Sequence, residues 1–199
     1  MVKSFDFKEK YGNTPITPNL IKELIPQNIQ NREELNEYEL QNIAKGQVWL
    51  QKSKHDYSKY NFWLELHKKM YCYVWKFAGS IRKVELSNPA FKMPYDIWPE
   101  IGRLEKDLEY WLNNKSFSDK EMLANFHERI LTIHPFLDGN DRWSRLLTEY
   151  IAKSTSFPIP TWGQALNQDS NKRRQLYIET LDLARNSNIY NDLISFMFS

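Results

Sequence analysis

The stretch His134-Pro135-Phe136-Leu137-Asp138-Gly139-Asn140-Asp141-Arg142-Trp143-Ser144-Arg145 decides how the rest of this 199-residue chain is read. An apolar helical stripe of Leu123, His127, Ile130 and His134 runs into it and has to stop at Pro135, because the residue before a proline is pushed out of the α region. A second apolar run, carried by Leu146, Leu147, Tyr150 and Ile151, begins at Arg142. Between them, Asp138-Gly139-Asn140-Asp141 is a set of turn formers that tolerate left-handed backbone and can direct several N–H groups inward. A helix N-terminus behind such a loop attracts phosphate. Arg142 and Arg145, three apart, project from one face of that helix, and their planar guanidinium groups fit phosphate oxygens. The sequence predicts a helix-loop-helix over residues 119–152 with a histidine beside an anion site.

Outward from this centre the pattern is mostly helical. Residues 1–30 contain Gly12, Pro15, Pro18 and Pro26 and read as an arm with one helical turn around Leu20 to Leu24. Asn31-Arg32-Glu33-Glu34 is an N-cap followed by Glu three residues later, predicting a helix to about Gln51. Trp63, Leu66, Met70 and Val74 predict a second helix from Tyr60 that Gly79 would end. Ile81-Arg82-Lys83-Val84-Glu85-Leu86 mixes apolar and charged residues, and Asn88-Pro89 follows, predicting a hairpin over residues 82–95. Ile97, Ile101, Leu104, Leu108 and Trp111 define an amphipathic helix over 96–113. Ser118-Asp119-Lys120-Glu121 reads as a capping box, and two last helices cover roughly 172–184 and 191–198. The expectation is a single all-α domain over 1–199, with about seven or eight helices and one small β-hairpin.

Composition narrows the function classes. The formal net charge of +2 comes from 27 basic and 25 acidic residues mixed along the chain, so neither a nucleic-acid track nor a membrane surface is expected. Cys72 is the sole cysteine, which excludes an internal disulfide and a paired-cysteine metal site. The first residues lack the apolar stretch of a signal peptide, and no run is long enough to cross a bilayer, so a cytoplasmic location is expected.

The central stretch resembles the signature of the Fic family, H-x-F-x-[D/E]-G-N-G-R-x-x-R, and matches every fixed position except the second glycine, where Asp141 stands. Leu66-His67, Val74-Trp75-Lys76-Phe77-Ala78-Gly79 and Arg82 resemble the family's lead into its flap hairpin. Thr14-Pro15, Leu24-Ile25-Pro26, Glu34-Leu35-Asn36-Glu37 and Thr161-Trp162-Gly163 are similar to its subfamily called mobile mystery protein B. The resemblance implies transfer of AMP from ATP, with Mg²⁺, to a Ser, Thr or Tyr hydroxyl of a protein target docked on the flap. It assigns His134 as general base, Asp138 as metal ligand, and Gly139, Asn140 and the following amides to the α and β phosphates. Arg142 and Arg145 would meet the β and γ oxygens. Asn140 and Arg142 count with His134 as catalytic, and Phe136, which matches the family's core anchor, counts with Asp141 among the nucleotide-binding residues. His127 is expected to pack behind the site, with Tyr177 a minor candidate for the adenine side.

Asp141 opens an alternative. An aspartate adds negative charge beside an anion site, is poorer than glycine at positive φ, and is a good N-cap whose carboxylate would occupy the helix N-terminus. Coordination of Mg²⁺ by Asp141 would offset that. The alternative is an inactive or weak scaffold of the same fold that binds a nucleotide or a protein partner. The family's inhibitory pattern [S/T]-x-x-x-E-[G/N] is absent, so inhibition is expected from a separate protein or from the Glu-rich helix over 33–39.

Overall fold

The computed structural model describes residues 17–52, 54–166 and 169–199. The first sixteen residues of the expected arm, including Thr14-Pro15, lie outside them. Eight α-helices occur among the described residues: α1 (Pro18–Ile21), α2 (Arg32–Lys52), α3 (Tyr60–Tyr71), α4 (Ile97–Asn114), α5 (Asp119–Ile133), α6 (Asn140–Thr155), α7 (Ser170–Ser187) and α8 (Asn191–Met197). None of the described helices is long and apolar enough to cross a membrane.

Helix α5 runs through the centre, packed on α4, α6, α7 and α8. Its buried residues, from Met122 to Ile133, lie on nearly every side of the helix, as a central position requires. Helix α3 contacts α2, α4 and α6, and α2 also reaches the motif directly through Glu39. Of the largest buried rings, Tyr71 lies against Gly139 of the motif loop, and Phe136 packs edge-on to Trp143. The start of α2 is built as its sequence predicts. The Glu34 N–H donates to Asn31 Oδ1 at 2.9 Å, and the Glu34 carboxylate reaches back to Asn31 Nδ2 at 3.0 Å and the Gln30 N–H at 2.7 Å. Such a cap is worth about 1 kcal/mol.

Three expectations need correction. Helix α3 ends at Tyr71, and turns carry the chain to Gly79. The described part of the arm competes for that backbone: the Ile25 N–H donates to Val74 O, the Lys76 N–H donates to Glu23 O, and Leu24 bridges Trp75. The expected hairpin does not form a strand ladder, because the residue that turns inward is the charged one. Arg82 is 2% exposed while Val84, which would share its face in a strand, is 54% exposed. Its guanidinium takes the place of a ladder, donating to the carbonyls of His134, Val84 and Lys92. Ser118 takes the N-cap position of α5 without a side-chain capping bond.

Candidate functional site

His134 ends α5 in left-handed backbone, φ 48° and ψ 61°, with its N–H still bonded to Ile130 O. Pro135 forbids the α region, and the chain turns left-handed rather than extended at a cost of about 1–2 kcal/mol. That turn sends the imidazole onto Phe91, stacked at 3.6 Å between ring centroids, while the Arg82 Nε–H holds the His134 carbonyl at 2.8 Å. Nδ1 lies 3.3 Å from Leu131 O and must donate to it, which leaves the Nε2 lone pair unused. Burial pushes the imidazole pKa down to about 3, so the ring is a neutral acceptor at pH 7.

The loop after His134 turns its acceptors backward. Gly79 N–H donates to His67 Nδ1 at 2.9 Å, so Nε2 of that neutral, buried ring carries the proton and donates to Asp138 O at 3.1 Å. The Tyr71 hydroxyl lies 3.4 Å from Gly139 O. With these carbonyls bonded behind the loop, no side chain caps the N-terminus of α6 in front of it. Gly139 is the N-cap at φ 81°, and a Cβ there would meet the Tyr71 ring at 2.7 Å, so glycine is required on both counts. Asn140 clasps the turn, its Oδ1 accepting from the Phe136 N–H at 3.0 Å and its Nδ2 donating to Phe136 O at 2.8 Å. Phe136 is fully buried between His67 and Trp143, beneath the loop and off the cavity wall.

Asp138 is the buried acid of the site. Its Oδ1 accepts from the Gly139 N–H at 2.7 Å, whereas Oδ2 is buried with no hydrogen-bond partner among the described residues. Burial, and then the nearby charge of Glu39, raise its pKa to about 6. One carboxylate oxygen without a partner fits a hard divalent cation that takes its other ligands from water and phosphate. No group of three His, Cys, Asp or Glu side chains suited to hold a metal occurs among the described residues, so the donors present do not make an all-protein cage.

Both arginines of the motif are already engaged by carboxylates. Arg142 Nη2 donates to Glu39 Oε2 at 2.6 Å, and the fully buried Glu39 also accepts from Trp75 Nε1 at 2.8 Å. Arg145 Nε lies 3.3 Å from Asp141 Oδ1, and Arg174 Nη1 lies 3.8 Å from Asp141 Oδ2. Burial works to raise the Asp141 pKa, but these two guanidinium groups outweigh it and hold the carboxyl below its usual range. Asp141 is therefore neither the N-cap nor at positive φ, as the sequence suggested it could be. It sits in the first turn of α6 and points along the helix toward its own arginine. Arg145 also lies over the Tyr177 ring at 4.2 Å. Tyr177 is 2% exposed, with its hydroxyl 2.7 Å from His127 Nε2, so it offers no face to a base.

A cavity of about 420 Å³ gathers these groups. His134, Asp138, Gly139, Asn140, Asp141, Arg142 and Arg145 all line it, with Arg32 and Asn36 from α2 and Arg173 and Arg174 from α7. Sequence reasoning missed Phe91, Arg32 and Arg174 as site residues, and reached Glu39 only as one member of the Glu-rich helix over 33–39. Phe91 sits in an aperiodic loop, and the other three lie on helices far from the motif, where only the fold brings them in.

Residues 57–152 match the model of the Fic/DOC family. The chain is 34% identical over 85 residues to protein adenylyltransferase fic-1 of Caenorhabditis elegans, a match spanning 41% of this chain and 16% of that protein. Its fold is similar to the BepC protein of Bartonella tribocorum solved with bound AMPPNP (TM-score 0.66, 16% identity, 85% of this chain and 87% of the other). It is also similar to an N-terminal Fic domain from Bartonella quintana solved with bound ADP (TM-score 0.68, 16% identity, 94% and 91%). The helical core that carries the motif loop, residues 57–152, is thus a domain of the Fic/DOC family.

Proposed function

We propose that this chain transfers the AMP moiety of ATP to a hydroxyl of a protein target. The observation that carries the reading is the neutral His134, its Nε2 lone pair unused, on the wall of the same cavity as the unpartnered Asp138 Oδ2. His134 takes the proton as the target's Ser, Thr or Tyr oxygen attacks the α-phosphorus, and the bond to the β-phosphate oxygen breaks to release pyrophosphate. The amides at the start of α6 and the remaining donors of Arg142 and Arg145 hold phosphate oxygens. Asp138 would hold Mg²⁺, which would supply charge neutralisation at the phosphates. The segment from Arg82 to Met93, anchored at His134, is where an extended target segment lies. Relatives named as protein adenylyltransferases and similar folds solved with AMPPNP and ADP support this reading.

A second reading is a restrained or inactive member that binds nucleotide or a protein partner. The pairs Glu39–Arg142 and Asp141–Arg145 favour it, because each anion competes with phosphate for an arginine. Labelled ATP with Mg²⁺ and a cell lysate separates the two. The first reading expects label on a protein band that is lost in His134→Ala. Activity that appears only in Asp141→Gly or Glu39→Gln would establish the second, and no label from any of the three would leave a binding scaffold.

A further inference from the structure

Arg32 opens α2, outside the residues matched by the family model and outside the motif. Its side chain is buried, at 8% exposed, and its Nε has no hydrogen-bond partner among the described residues. It lines the cavity of His134 and Asp138. Among the other cations there, Arg142 already pairs with Glu39, and Arg145 and Arg174 with Asp141. A buried guanidinium N–H that has lost water and gained no acceptor is unfavourable, and the adjoining space is where an acceptor can enter.

We propose that Arg32 is an anion-binding residue of this cavity, taking a terminal phosphate oxygen of a nucleoside triphosphate from the α2 side while α6 holds the other side. The inference rests on the nucleotide reading above. A peptide carboxylate is the poorer ligand, because it would meet Asp138 with no cation between them, whereas a polyphosphate arrives with its own divalent ion. Arg173 on the α7 wall extends the same positive lining.

The test is calorimetry on the full chain with inorganic tripolyphosphate, ATP and AMP, each with Mg²⁺. Arg32→Gln is expected to weaken tripolyphosphate and ATP by roughly tenfold or more, the loss of one charge-assisted hydrogen bond, while AMP changes less than about twofold. Arg32→Lys should fall between, and guards against a folding defect in the first variant. Arg103→Gln removes the same charge from an exposed site off the cavity and should leave all three constants unchanged. Wild-type affinity for tripolyphosphate in Arg32→Gln and Arg32→Lys would overturn the proposal, as would equal weakening of AMP and ATP, or a wild type that binds no tripolyphosphate. Label transfer that depends on His134 with an unchanged KM for ATP in Arg32→Gln overturns this inference alone. Arg32-dependent polyphosphate binding without any transfer overturns only the enzymatic reading.

Discussion

Asp141 Oδ1 lies 3.3 Å from Arg145 Nε, one turn along the same helix, so the residue that departs from the family motif is the ion-pair partner of the motif's last arginine. The pair is partly exposed, 31% and 26%, and pairs of this kind contribute only about 0.3–0.5 kcal/mol to stability. Its larger effect falls on a phosphate arriving beside it, where a like charge at about 4 Å costs roughly 1 kcal/mol or more. Asp141→Asn should tighten ATP binding by about fivefold or more in calorimetry, with little change in melting temperature. Asp141→Gly should bind similarly but melt lower, since glycine inside a helix costs about 1 kcal/mol.

Glu39 is the opposite case, because it is fully buried and serves two partners, Arg142 and the Trp75 Nε1–H. Truncation strands both donors. Glu39→Ala should lose about 2 kcal/mol or more in urea unfolding, seen as a lower midpoint at unchanged slope. Glu39→Gln keeps an acceptor for Trp75 and should lose less, while freeing Arg142 to bind ATP more tightly.

The site should have an unusual pH dependence. Burial holds His134 neutral down to about pH 3, so the base remains competent well below the ordinary histidine range. Asp138 protonates as pH falls through about 6, and a neutral carboxyl does not hold a divalent cation. Mg²⁺-dependent ATP binding should therefore fall with an apparent pKa near 6, in a titration that Asp138→Asn abolishes and His134→Gln leaves in place. Stability follows a separate rule. His67, His127 and His134 all have folded pKa values lowered to about 3, so the stability they contribute above 6.5 is lost as pH falls toward 3. Asp138, raised, partly offsets this between about 6 and its unfolded value. Thermal melting should show a fall in midpoint on going from pH 7.5 to 5.

Phe91 stacks on His134 with ring centroids 3.6 Å apart and so sets where the base sits. Phe91→Ala should lower kcat by roughly tenfold, a misplaced base, with the ATP affinity unchanged. A raised Kd for ATP with unchanged kcat would assign Phe91 to the nucleotide instead.

The sequence was most legible where a residue's neighbours in the chain are also its neighbours in space. The α4 stripe from Ile97 to Leu108, the Asn31–Glu34 cap, and the stop at Pro135 are local, and each formed. The motif residues from His134 to Arg145 line one cavity because a single tight loop carries them, with Phe136 beneath it. What failed depended on distance in sequence. Alternation over residues 81–86 could not reveal that Arg82 would turn inward to the carbonyls of His134 and Lys92, and Gly79 could not reveal that the arm would stop α3 at Tyr71. The partners of the motif arginines show the contrast: Asp141 is four residues from Arg145, but Glu39 reaches Arg142 across 103 residues of sequence.

The most direct test of the account is mass spectrometry of proteins labelled by this chain with ATP and Mg²⁺, run in parallel with His134→Ala. AMP is expected on a Ser, Thr or Tyr hydroxyl, lost in the variant while its ATP affinity stays within about twofold. An AMP adduct formed equally by His134→Ala would contradict it.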